Sequence, residues 1–216
     1  IGRTFKESLQ KALRGLETGR FGIGCDRADR WGTPKQPTAE EIAGRLATPN
    51  AERIWYLRYA MKSGMSVDDI FMRTKIDRWF LHNIRDLIEV EDRLRAAANG
   101  EKTREVFLEA KQNGFSDRQL ATLWHVTESE IRRVRKELGV VPSYKRVDTC
   151  AAEFEAYTPY YYSTYEAPTS SVPIPFPVPD VSVEVGNGKG QGADDETVPA
   201  SGKDRIMILG GGPNRI

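Results

Sequence analysis

Apolar residues recur at three- and four-residue spacing over most of the chain, and small polar residues divide that pattern into short segments. The first segment, "GRTFKESLQKALRGLE", predicts an amphipathic helix opened by a capping box of Thr4 and Glu7. Thr38 with Glu41 caps a helix through about Ala47. Asn50 caps one that holds Ile54, Trp55, Leu57 and Met61 and stops at Gly64. Ser66 with Asp69 opens a short helix carrying Val67, Ile70 and Phe71. Asp77 opens the longest, in which Phe80, Ile84, Leu87, Ile88 and Leu94 form one face. Thr103 begins another with Val106, Phe107 and Ala110, ending at Gly114. A pair then follows: one helix after Ser116 with Leu120, Ala121 and Leu123, a tight turn at Trp124 to Val126, and a second helix from Thr127 to Gly139, with Glu130 completing a capping box.

Two stretches break this rhythm before the chain changes character. Gly19 to Pro37 is rich in Gly, Pro and charge and reads as a connection with little regular structure. From Val140 to Glu166 aromatic and β-branched residues dominate, which predicts extended or irregular chain packed on a surface. Ala167 to Lys203 holds half of the 12 prolines, and its composition predicts a disordered linker. Arg205 to Leu209 is a buried-strand pattern running into the glycine turn of "GGGPN". A strand and turn of that kind open an α/β unit, so the expectation is a segment of a longer polypeptide.

The fold class is therefore mainly α: a domain of short packed helices, an irregular segment, a linker and the first strand of an α/β domain. By residue, 1–19 is one terminal piece, 20–37 the connection, 38–166 the helical domain, 167–203 the linker and 204–216 the strand and turn.

Charge narrows the function classes. Lys plus Arg number 32 against 31 Asp plus Glu, a net charge of +1, which gives no large electrostatic footprint for nucleic acid. The Ser116 to Leu138 pair resembles a DNA-binding helix-turn-helix in outline. Its second helix, however, begins "TESEI", placing Glu128 and Glu130 where a recognition helix meets phosphates and bases. A packing unit is the reading preferred over a DNA-binding regulator, with a stand-alone interaction scaffold as a further alternative. No apolar run reaches the length of a membrane span and no signal peptide is recognised, so a cytoplasmic chain is expected. Cys25 and Cys150 are too few and too far apart for a disulfide framework or a zinc site, and His82 and His125 have no partners that would make a metal centre or a catalytic base. Cys150 is expected to be buried and inert, and the tyrosines at 157, 160, 161, 162 and 165 to pack between domains. Gly210 to Asn214 reads equally well as a tight turn or as a weak phosphate loop.

Five strings carry a resemblance: "IGRT…ESLQKALRGLE" at the start, "IDRWFL" at 76–81, "YKRVDTCAAEF" at 144–154, "YSTYE" at 162–166 and "RIMILGGGPNRI" at the end. Together and in this order they resemble the large subunit of glutamine-dependent carbamoyl phosphate synthetase, over the whole chain except 19–37 and 167–203. The resemblance implies two synthetic halves separated by a helical oligomerisation domain, with this chain as the middle portion. Residues 1–19 would end the first, carboxyphosphate-forming half, 38–166 would be the oligomerisation domain and spacer, and 204–216 would begin the second half. It implies a parent ligase that uses ATP, Mg²⁺ or Mn²⁺ and K⁺, takes ammonia from a glutaminase small subunit, and self-associates through the helical domain. It places no catalytic, cofactor or metal residue in this chain. Only Gly210, Gly211, Gly212, Asn214 and Arg215 are carried over, as the turn opening the second half, with Arg215 near a carbamate tunnel.

Overall fold

The computed structural model describes residues 1–151, 153–154, 160–165, 195–197 and 202. Most of the span read as a linker, the strand at Arg205 to Leu209, the glycine turn with Arg215, and Tyr157 lie outside the described residues. Within them the chain forms eight α-helices: α1 Phe5–Gly15, α2 Ala39–Ala47, α3 Arg53–Lys62, α4 Val67–Thr74, α5 Arg78–Ala96, α6 Arg104–Gln112, α7 Asp117–Trp124 and α8 Glu128–Glu137.

Most helix starts lie at the hydroxyl or carboxylate caps that mark them in the sequence, because a cap satisfies backbone N–H groups the helix itself leaves open. Thr38, Ser66, Thr103 and Ser116 each accept from the N–H three residues on, and Asp77 accepts from that of Trp79. Asn50 is a correction. Its side chain accepts from the Glu52 N–H and donates to the Arg45 and Thr48 carbonyls, so it shapes a turn, and α3 starts at Arg53. The boxes expected at Thr4 and Thr127 are one-sided, and Glu7 takes the Arg3 N–H instead. The reciprocal box forms at Ser116 with Gln119.

The helices enclose two apolar clusters, and α5 passes through both. Its Leu81, Ile84 and Ile88 join Ile42, Leu46, Leu57 and Ile70 of α2 to α4 in the first. Its Leu87, Val90 and Leu94 join Phe107, Leu120, Leu123, Trp124 and Ile131 of α6 to α8 in the second. Phe80, expected on the buried face, is exposed, and Leu81 is the inward residue at that level.

The connection before α2 has no helix or strand, yet it is built into both clusters. Ile23 lies in the first and Cys25 in the second. Its backbone is tied by side chains: Gln10 of α1 accepts from the Ile23 N–H, Gln119 of α7 donates to the Gly24 carbonyl, and Trp55 of α3 donates to the Gly22 carbonyl. Gly24 has no substitute, since a Cβ there would stand 2.6 Å from the Arg58 guanidinium. Helix α1 is drawn in with the connection, burying Glu7, Gln10 and Leu13. At Gly114, φ is +81° and a Cβ would meet the α1 backbone at 2.9 Å, so the turn after α6 also fits α1 closely.

The aromatic stretch after α8 forms two short strands, β1 Ser143–Arg146 and β2 Tyr161–Thr164, paired antiparallel with Tyr144 opposite Ser163. Their outer surroundings are polar. Lys11 of α1 donates to the Ser163 carbonyl, and buried Thr164 bonds Glu7. Tyr165 packs beside the cations of Lys111 and Arg135, and burial pushes its phenol up to about 12. Cys150 is half-buried rather than buried, and the fully enclosed thiol is that of Cys25.

Between the two clusters lies a buried ion network. Arg58 of α3, wholly buried, forms two bonds of 2.8 Å to Glu91 of α5, also wholly buried, and a third of 2.9 Å to Asp29 of the connection. Lys62 and Arg95 reach the same Glu91 carboxylate at 3.3 and 2.9 Å. Burial alone would raise the Glu91 pKa, but the Arg58 bonds and charge outweigh it and hold the carboxyl down at about 2. The same partners, against desolvation, push the Arg58 guanidinium above its ordinary range.

Removing one member of such a network strands the other charges without solvent. Glu91→Gln should lower the unfolding free energy by about 3 kcal/mol, measured by urea denaturation at pH 7. A loss below about 1 kcal/mol would show that the network does not hold the clusters together. The pH dependence follows from the depressed pKa. Above the unfolded value of 4.5 the Glu91 contribution is complete, and it is lost as pH falls through about 2. The urea midpoint of the unaltered chain should therefore fall more steeply across that window than that of Glu91→Gln.

Candidate assembly surface

The first turn of α5 sends Leu81 into the core and leaves Trp79 and Phe80 outside it. Asp77 fixes that turn by accepting from the Trp79 N–H at 2.7 Å, and Asn83 donates to the Trp79 carbonyl at 2.8 Å. Successive residues on a helix point about 100° apart, so adjacent aromatic side chains cannot both face one narrow core. Here neither Trp79 nor Phe80 does: they are 56% and 43% exposed. What lies beside them is Phe5, at the start of α1. The three rings form a closed set, with centroids 5.2 Å apart for Phe5 and Trp79, 5.3 Å for Phe5 and Phe80, and 5.0 Å for Trp79 and Phe80. These are the tilted and edge-on arrangements that aromatic quadrupoles favour. Lys6, one residue on, is bonded to Asp86 of α5 at 3.1 Å, which holds the two helices in register beneath the rings.

Two large rings left exposed beside a half-buried third are costly for a helical domain of this size, and such patches mark contacts with other protein surfaces. Among the large apolar side chains of these helices, Trp55, Leu57 and Trp124 lie in the interior, Ile54 is partly buried, and Trp79 and Phe80 are exposed. Phe5 was not legible as their partner, since its pairing depends on how α1 docks.

The helix-turn-helix look-alike has a different disposition. In α7 and α8, Leu120, Leu123, Trp124 and Ile131 point into the second cluster, and the Trp124 ring donates to the Leu94 carbonyl. Four of the five basic side chains in the pair are matched by carboxylates: Arg118 and Arg132 with Glu128, Arg133 with Glu137, and Arg135 with Asp117. His82 and His125 are both exposed. Among the described residues no three His, Cys, Asp or Glu side chains come together as a metal centre would require, and no helix is long and apolar enough to cross a membrane. Gly210, Gly211, Gly212, Asn214 and Arg215 lie outside the described residues.

Residues 1–139, from α1 through the connection to the end of α8, match the family model described as the carbamoyl-phosphate synthetase large chain, oligomerisation domain. The chain belongs to this family. The carbamoyl phosphate synthase large chain of Rhodopirellula baltica is 50% identical over 218 residues, covering all of this chain and 18% of the relative. That of Nostoc is 50% identical over 216 residues, again covering the whole chain and 17% of the relative. A protein of Aquifex aeolicus named as the N-terminal section of the large chain is 47% identical over 174 residues, covering 80% of this chain and 29% of the relative. The chain thus spans less than a fifth of the full-length relatives. Their similarity also runs through 19–37 and 167–203, which the resemblance in the sequence had left out. Neither the DNA-binding regulator nor the stand-alone scaffold is supported: the oligomerisation domain of this family accounts for the helical pair, and the arginines it presents are already paired.

With Glu128 and Glu130 at the start of α8, binding to duplex DNA should be no tighter than weak non-specific association, about 10⁻⁴ M at physiological salt. A sequence-specific gel shift at nanomolar protein would overturn the packing role of this pair.

Proposed function

We propose that this chain is the central portion of a carbamoyl phosphate synthetase large chain, in which the helical domain joins subunits and spaces two synthetic halves. The parent enzyme would make carbamoyl phosphate from bicarbonate, glutamine-derived ammonia and two ATP, for arginine and pyrimidine synthesis in the cytoplasm. Its glutaminase small subunit would supply the ammonia. On this reading residues 1–19 close the first half, 38–166 form the oligomerisation domain, 167–203 link it onward, and 204–216 open the second half. Gly210, Gly211, Gly212, Asn214 and Arg215 would form the turn there, with Arg215 toward the carbamate path.

The observation that carries the assembly role is the coincidence of the family match with exposed Trp79 and Phe80 packed on the half-buried Phe5 of α1. In a symmetric oligomer one patch meets its own copy, so a charge placed there is met twice at each interface. ATP, Mg²⁺ or Mn²⁺ and K⁺ belong to the synthetic halves of the parent.

Two measurements test the reading. The isolated chain should show no bicarbonate-dependent ATP hydrolysis, and turnover above background would sink the spacer role. By light scattering, Trp79→Glu with Phe80→Glu should lower the assembly state of the full-length large chain while leaving its helical content unchanged. An unaltered subunit number would move the interface elsewhere.

A further inference from the structure

A three-residue piece of the span read as a linker is placed against the sheet. In β1 the residues at odd positions face β2, as the bond from the Val147 N–H to the Tyr160 carbonyl shows for the end of the ladder. Tyr144 and Arg146 point their backbone groups the other way, to the edge that β2 leaves open. Glu196 fills that edge. Its N–H donates to the Tyr144 carbonyl at 2.8 Å, and its carboxylate accepts from the Arg146 N–H at 2.6 Å and lies 3.7 Å from the Lys145 ammonium. Asp195 prepares the fit, since its carboxylate takes both the N–H and the hydroxyl of Thr197 and bends the segment so that Glu196 is presented. The match is electrostatic as well as geometric: acidic Asp195 and Glu196 lie at an edge carrying Lys145 and Arg146.

We propose that the outer edge of β1 is a docking site for the acidic segment Asp195–Thr197 of the same chain, and that this contact works as an internal anchor. The chain leaves the sheet after Tyr165 and is held to it again at Glu196. Tyr165 and Glu196 are thus both held at this two-stranded sheet. The reach of whatever follows Thr197 is therefore measured from β1 instead of from β2. Docking covers edge N–H and C=O groups that would otherwise template pairing with another chain. The anchor rests on backbone bonds and an exposed charge, so it is weak enough to release, and it weakens as salt rises.

Hydrogen exchange on the whole chain tests this directly. The Glu196 and Arg146 amides should exchange roughly tenfold more slowly than in an unstructured peptide, and Glu196→Lys should abolish that protection at both positions while the Leu87 amide keeps its own. Deleting 170–190 should leave the Glu196 and Arg146 protection in place. The proposal is overturned if both amides of the unaltered chain exchange at the unstructured rate, if Glu196→Lys leaves their protection intact, or if the deletion removes it.

Discussion

The salt bridge of Arg58 with Glu91, joined by Asp29, is the constraint around which the rest of the domain is arranged. A guanidinium without solvent must have its donors met, and the three members of this network, Arg58, Glu91 and Asp29, come from α3, α5 and the connection before α2. Each therefore has one permitted position relative to the other two. Gly24 is a consequence, because the guanidinium occupies the space a side chain there would need. So is the placement of Ile23 and Cys25 in separate clusters, since the connection must pass between them to deliver Asp29. A pair of apolar residues of equal volume could fill the same space with less desolvation cost, but it would accept several registers of α3 on α5. The ionic arrangement accepts one.

Fixing α5 in this way also fixes what its first turn displays. The helix is 19 residues long, about 28 Å at the usual rise, and its first turn sends Leu81 inward while leaving Trp79 and Phe80 exposed. Helix α1, tied to the connection through Gln10 and to α5 through Lys6, brings Phe5 to the same place. The exposed rings are thus held by the same internal restraints that order the core. Their orientation requires no partner to set it, which lowers the ordering cost of any contact they make.

The helices were legible because their signals are local. A hydroxyl at the N-cap and a glycine after the last turn act within four residues, and six of the eight starts follow from such caps alone. Asn50 failed for an equally local reason: its amide found carbonyls behind it, at Arg45 and Thr48, and made a turn. Phe80 failed for a tertiary one. It lies four residues before Ile84 and reads as inward, but Leu81 takes the inward position at that level and turns Phe80 outward. Glu91 and Arg58 were invisible as a pair, since each looks like an ordinary charge on a solvated face and only the crossing of α3 and α5 brings them together. The connection does lack regular structure, as its composition indicates, but its burial was not legible. An irregular chain has no period, so nothing in the sequence distinguishes a buried Ile23 from a loop residue. Of the residues carried over by resemblance alone, the glycine turn and Arg215 lie outside the described part of the chain.

That last feature bears on how the domain can diverge. Loops ordinarily absorb inserted or deleted residues because their ends are fixed and their middles are not. Between Gly22 and Asp29 the middle is fixed as well: the Ile23 N–H meets α1, the Gly24 carbonyl meets α7, and the Gly22 carbonyl and the Asp29 carboxylate both meet α3. One residue gained or lost there would shift every later partner out of reach while leaving all the helices intact. Substitutions in this stretch are filtered one position at a time, but a change of length is filtered all at once. A piece of chain with no secondary structure thereby becomes the part of the domain least able to change its length.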